Sequence, residues 1–141
     1  MITSIFSCIF SNIGIYPAPN WCGVKEKLID RYWPGALTII LPCLKEKVPV
    51  LVRGSSDNLG VRMPDHQIAL SLIRSVGVPV LGPSANFHGE TTPFQFQDLN
   101  KELVKLVDFV VEGESNAKQA STIIDCSIKP WKILRDGAVK L

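Results

Sequence analysis

The chain lacks the short motifs that usually announce a catalytic or metal-binding centre. Its 141 residues hold no Gly-x-x-x-x-Gly-Lys-Ser/Thr run, which excludes the common phosphate loop, and no Gly-x-Gly-x-x-Gly dinucleotide fingerprint. Neither of the two histidines, His66 and His88, stands in a Gly-x-Ser-x-Gly context, so a Ser-His-Asp hydrolase has no support. The four cysteines, Cys8, Cys22, Cys43 and Cys126, form no Cys-x-x-Cys pair and have no histidine at metal-ligand spacing. That argues against zinc and for free thiols in a cytoplasmic protein.

Charge of either sign is scarce at the start. Residues 1–22 contain no lysine or arginine. Residues 1–16 are apolar and uncharged, have no basic n-region, lack the usual small-residue cleavage site and are too short to span a bilayer. This stretch reads as strand-like or poorly specified sequence. The formal net charge is only +2, too mild to argue nucleic-acid binding by itself. What is present fits one globular domain: 46% hydrophobic and 20% charged residues, with no internal repeat and no low-complexity tract.

Pro17, Pro19 and Asn20 separate the opening from the first helical stretch. Residues 24–32 read as a helix burying Val24, Leu28 and Ile29, ended by Trp33-Pro34-Gly35. Ala36 to Leu41 is a strand, apolar except at Thr38, which predicts a sheet covered on both faces. Val48 to Val52 is a second apolar run, closed by a turn-rich loop from Arg53. Leu59 to Arg62 is a strand. A helix comes next, with Asp65 as expected N-cap, an apolar stripe of Ile68, Leu72, Ile73 and Val76, and Gly77 as its stop. With the strand at 78–81 this makes a strand–helix–strand unit of the parallel type. Residues 94–106 contain a helical stretch, 108–111 a strand, 112–120 a polar loop, and 121–125 and 131–135 the last two strands.

Val78 to Asn86 is the most informative segment. A buried strand stops at Gly82-Pro83 and then presents Ser84, Ala85 and Asn86, with His88 close behind. In open α/β sheets ligands sit at carboxyl strand ends, yet Ser84 and Asn86 at this spacing also serve as a turn satisfying its own backbone. Arg53, Arg62 and Arg135 each close an apolar run. Singly, each reads as a solvated strand-end charge. Together with hydroxyls at Thr38, Ser84, Ser121 and Thr122 they read as an anion site. His88 reads as an exposed loop residue and Asp125 as a turn or cap residue.

Five ordered segments carry a resemblance: Trp33-Pro34-Gly35-Ala36-Leu37-Thr38, Gly60 to His66, Gly82-Pro83-Ser84-Ala85-Asn86, Ser121 to Asp125, and Leu134-Arg135-Asp136-Gly137. In this order the chain resembles the YrdC-domain family of L-threonylcarbamoyladenylate synthases. The resemblance implies an α/β fold, a YrdC-like twisted mixed sheet with flanking helices around a concave cavity. It implies a nucleotidyltransferase that converts ATP, L-threonine and bicarbonate to threonylcarbamoyl-AMP and pyrophosphate, for the threonylcarbamoyl modification of tRNA adenosine 37. Ser84, Asn86 and Arg62 would be catalytic. Thr38, Arg62, Ser84, Asn86, Ser121, Thr122 and Arg135 would bind substrate and nucleotide. No protein metal site is implied, and Mg²⁺ would be bound through the ATP phosphates. The implied partners are tRNA or double-stranded RNA and the proteins that transfer the product. The implied location is cytoplasmic, with no membrane contact.

The sequence also departs from the family. A Pro-Thr-Asp-Thr-Val-Tyr-Gly-like segment and the Lys-x-Arg pair after it are absent. Residues 1–22 read as a divergent leader and 23–141 as the C-terminal two-thirds of a YrdC-like domain, with the first strand and helix missing or altered. The alternative to an active synthase is an inactive truncated remnant, or a module that binds nucleotide or double-stranded RNA.

Overall fold

β-Branched runs build the centre of the sheet. Leu37–Pro42 (β2) carries Thr38, Ile39 and Ile40, and Thr122–Asp125 (β5) carries Thr122, Ile123 and Ile124, residues that suit a pleated, buried surface. The computed structural model describes residues 4–6, 21–111 and 119–141. Its remaining strands are Ser4–Phe6 (β1), Asn58–Arg62 (β3), Val80–Gly82 (β4) and Lys132–Arg135 (β6). The sheet order is β4-β1-β3-β2-β5-β6. Pairing is mixed: β1 with β3 and β2 with β5 are parallel, while β1 with β4, β2 with β3 and β5 with β6 are antiparallel.

Helical turns run from Trp21–Val24 (α1) through a π-helical stretch, Lys25–Ile29, into Asp30–Tyr32 (α2). They deliver Val24, Leu28 and Ile29 to a core that also contains Leu37, Ile39, Leu41, Leu59, Val61 and Ile124. The alternation along β2 puts Leu37, Ile39 and Leu41 on this side and Thr38 and Ile40 on the other. Short helices lie at Val50–Arg53 (α3) and Lys101–Val104 (α5), with a 3₁₀ turn at Phe96–Asp98. Gln67–Val76 (α4) is the one helix of ten residues among those described.

Several local expectations change. His66, not Asp65, caps α4: its Nδ1 accepts the Ala69 N–H at 3.3 Å. Gly77 does stop the helix, in the left-handed conformation at φ 71°. The buried residues of α4 are Leu70 and Ile73, while Ile68, Leu72 and Val76 are exposed. β3 and β4 are not a parallel pair, because β1 lies between them and β4 runs antiparallel to it. The run at 48–52 ends in α3, and 94–106 breaks into the 3₁₀ turn and α5. Residues 108–111 form no strand, and Phe109 stays 80% exposed. The expectations for 7–20 and for 112–118 of the polar loop lie outside the described residues.

Candidate functional site

Strand register decides which of the expected residues meet. Ile39 pairs with Val61 across β2 and β3, so the next antiparallel step sets Thr38 beside Arg62. Thr38 pairs with Ile123, and Ile123 with Arg135. Residues paired across strands share a face, so Arg62, Thr38, Ile123 and Arg135 lie on one side of the sheet. Ser121, two residues before Ile123, shares it. Arg62 and Arg135 start three strand spacings apart, about 14 Å, a gap their long side chains can narrow from both sides.

The hydrogen bonds bear this out. The Thr38 and Ser121 hydroxyls are 2.9 Å apart. Arg135 donates from Nε to the Ser121 carbonyl at 2.9 Å and from Nη2 to the Ser121 hydroxyl at 3.0 Å. Arg62 donates from Nε to the Gly35 carbonyl at 2.8 Å, while the Gly35 N–H donates to the Met63 carbonyl at 2.8 Å. This last pair clasps the Trp33-Pro34-Gly35 turn to the end of β3. Each guanidinium is thus oriented by a backbone carbonyl and keeps N–H groups unspent within the described residues.

The electrostatics are one-sided. Burial, and then the like charge of Arg135, lower the pKa of Arg62. Among the described residues neither arginine forms an ion pair. Two facing cations with hydroxyls and no carboxylate make a place where an anion is stabilised by charge and by directed N–H groups.

Not every expected residue joins this cluster. Thr38 is fully buried and reaches the site only through Ser121. Thr122 turns to the other face. Its hydroxyl donates to the Val139 carbonyl at 2.6 Å and accepts from the N–H groups of Gly137 and Val139, each at 3.1 Å. One donor and two acceptor positions are all a hydroxyl has, so Thr122 has no bond left for the nucleotide expected beside it. Arg53 is occupied elsewhere, donating to the carbonyls of Val48 and Ser56 at 3.2 and 2.7 Å. Asp125 accepts from the N–H and hydroxyl of Ser127 at 2.8 and 2.6 Å, a turn role. His88 is exposed.

Ser84 and Asn86 form a second cluster. Val80 stands level with Phe6, and so with Arg62, whereas Gly82 stands level with Gly60. The chain therefore moves away from the Arg62 end of the sheet as it approaches Ser84. The Ser84 hydroxyl donates to Asn86 Oδ1. Asn86 Nδ2 donates to the carbonyls of Phe87 and Glu90 at 3.1 and 2.9 Å. Glu90 accepts from the Phe87 N–H at 2.9 Å and from Asn100 Nδ2 at 2.8 Å. A cavity of about 410 Å³ opens here, lined by Ala85, Asn86, Glu90, Thr91, Pro93, Asp98 and Asn100. Sequence reasoning missed Glu90, Asp98 and Asn100. The only signal for them is that they come soon after the Ser-Ala-Asn turn in the chain.

Comparison with known proteins fits this arrangement. The family model of the Sua5, YciO and YrdC proteins, described as "Telomere recombination", matches residues 17–137. A threonylcarbamoyl-AMP synthase of Bacillus subtilis is 35% identical over 124 residues, covering 87% of this chain and 35% of that protein. One of Pyrococcus abyssi is 37% identical over 117 residues, covering 82% of this chain and 34% of that protein. This chain thus spans about a third of the length of these two relatives. The solved structure of Pyrococcus abyssi Sua5 complexed with L-threonine superposes with a TM-score of 0.81 at 31% identity, covering 96% of this chain and 40% of that one. Escherichia coli YciO, 24% identical, shares the fold with a TM-score of 0.81, covering 99% of this chain and 67% of its own. With the family model matched over most of the chain and the sheet superposed on these structures, the chain belongs to the Sua5, YciO and YrdC family.

Proposed function

We propose that this chain acts in threonylcarbamoyl-AMP synthesis for tRNA modification, with Arg62 and Arg135 holding the anionic part of ATP. One observation carries the reading: two oriented guanidiniums lie on one face of the sheet beside buried hydroxyls, with no carboxylate paired to them among the described residues. The names of the relatives support it, as does the threonine complex of the Pyrococcus abyssi protein.

In this reading a carboxylate oxygen of N-carboxy-threonine, formed from the threonine amine and bicarbonate with loss of water, attacks the α-phosphorus of ATP. An O–P bond forms, the bond to the bridging oxygen breaks, and pyrophosphate leaves with the electron pair. Joining two anions requires positioning and positive charge rather than a covalent nucleophile. Arg62 and Arg135 supply the charge, Ser121 orients Arg135, and Thr38 supports Ser121. Ser84 and Asn86, whose donors are spent on Asn86, Phe87 and Glu90, offer acceptor lone pairs to the ammonium or hydroxyl of the amino-acid part. The donor set at the arginines contains no carboxylate and does not suit Mg²⁺ directly. The ion would travel with the nucleotide phosphates. The product would pass to proteins that modify adenosine 37 of tRNA, in the cytoplasm.

A second reading is a module that binds nucleotide or double-stranded RNA without its own catalysis. The separation of the Ser84–Asn86 turn from the arginines favours it. Pyrophosphate release from ATP, measured with and without threonine and bicarbonate beside ATP binding, tests both. Release that needs both co-substrates supports the synthase. ATP binding that depends on Arg62 and Arg135, without release, supports the second reading. A folded protein that binds neither ATP nor double-stranded RNA overturns both.

A further inference from the structure

The way Arg135 reaches the anion site depends on one extra residue. Along β5 and β6, Asp125 pairs with Lys132 and Ile124 with Ile133, but Ile123 pairs with Arg135. Leu134 is therefore a bulge, two residues on β6 opposing one on β5. Side chains alternate along a strand, so a one-residue slip moves every later side chain to the other face. Without the bulge, Arg135 would stand opposite Thr122. Thr122 pairs with Leu37, whose side chain lies in the core cluster. With the bulge, Arg135 stands opposite Ile123, on the face of Thr38 and Arg62.

The shifted register is locked just beyond it. Ala138 N–H donates to the Ala120 carbonyl at 3.0 Å, continuing the pairing set by Ile123 and Arg135. Thr122 closes the lock with its bonds to Gly137 and Val139, and Val139 packs against the core. Gly137 lies so close to the opposite strand that an added methyl would strike the Ala120 oxygen and sit 2.6 Å from Thr122 N.

We propose that the Leu134 bulge, fastened by the Thr122 hydroxyl, is the device that turns Arg135 to the anion site, which makes Thr122 and Gly137 positioning residues. The proposal rests on the reading of Arg62 and Arg135 as an anion site. Its structural half has a readout of its own.

The test uses the full chain with Leu134 deleted, with Thr122→Val and with Thr122→Ser, each with and without Arg135→Ala. Inorganic pyrophosphate binding is measured by calorimetry. The Arg135 Nε–H resonance is followed by NMR for protection by its bond to Ser121. Deletion of Leu134 should abolish that protection and weaken pyrophosphate binding about tenfold or more. In that background Arg135→Ala should add nothing, whereas Arg62→Ala should still weaken binding. Thr122→Val should weaken binding in the same direction, and Thr122→Ser should restore it. Protection of Arg135 Nε–H retained in the deletion overturns the proposal. So does retained protection in Thr122→Val, which carries the test where the deletion does not fold. A wild-type chain that binds no pyrophosphate, yet loses Arg135 Nε–H protection in the deletion, overturns the proposed function and supports the positioning device.

Discussion

Arg135 holds Ser121 at two points, the backbone carbonyl through Nε at 2.9 Å and the hydroxyl through Nη2 at 3.0 Å. One side chain thereby reads both the position and the rotamer of the residue that also meets Thr38. A lysine has no planar fork with which to do this.

Arg135→Lys is therefore expected to behave like Arg135→Ala in nucleotide binding. Each should cost roughly tenfold to a hundredfold in affinity, the range of one or two charge-assisted hydrogen bonds. Arg62→Ala should cost a similar amount. Binding titrations of ATP at two salt concentrations check this, and the loss should be smaller at high salt.

Thr38 is fully buried and its only side-chain partner among the described residues is the Ser121 hydroxyl. Thr38→Val should lower stability by about 1–3 kcal/mol through a hydroxyl pair left half made. Urea unfolding midpoints measure it. Thr38→Ser, which keeps the hydroxyl, should lose less.

Gly137 and Gly89 should answer differently to alanine. At Gly137 the added methyl meets backbone of the facing strand, which cannot yield as a side chain can, so a loss of about 3 kcal/mol or more is expected. At Gly89 nothing lies within 4 Å, and only its φ of 89° opposes a side chain. The cost there should be about 1–2 kcal/mol. Thermal melts of the two variants should rank them in that order.

The Cys126 thiol is pushed up to about 12, first by burial and then by the charge of Asp125, from an ordinary value of 9.0. The folded state thus holds the thiol proton more tightly than the unfolded chain does. The associated stability is whole below pH 9 and is lost as pH rises toward 12. Denaturation of wild type and of Cys126→Ala, compared across that window, should show the steeper decline in wild type. At neutral pH alkylating reagents should react with Cys126 only slowly.

Much of this was legible in the order of residues. Strands β2, β3, β5 and β6 are apolar runs ended by charge or turn residues, and the arginines at two of those ends share one face of the sheet. The rest was hidden for physical reasons. The apolar face of α4 is wide, running from Ile68 through Leu72, Val76 and Ile73 to Leu70, so spacing alone does not choose Leu70 over Leu72 as the buried edge. The strand β1, inserted from the far end of the chain, separates β3 from β4, and a local strand–helix–strand pattern carries no trace of it. The run Asp108 to Val111 has strand composition but pairs with no strand among the described residues. The bulge at Leu134 depends on pairing register, which composition does not encode, and it alone separates an arginine on the site face from one aimed at the core.

The adjacency of β2 and β5 at the centre of the sheet governs when the anion site can come into being. Thr38 and Ser121 are 83 positions apart in the chain, and contacts of such long separation are slow to form. During synthesis the helical turns and the β2–β3 pair can gather early. The surface β2 offers to β5 must wait until residues near 125 have left the ribosome. Through that interval its unpaired backbone edge is open to other chains. The nascent chain thus passes its most aggregation-exposed period before Thr38 and Ser121 can meet, and an anion bound at the proposed site could protect it only after β5 has docked.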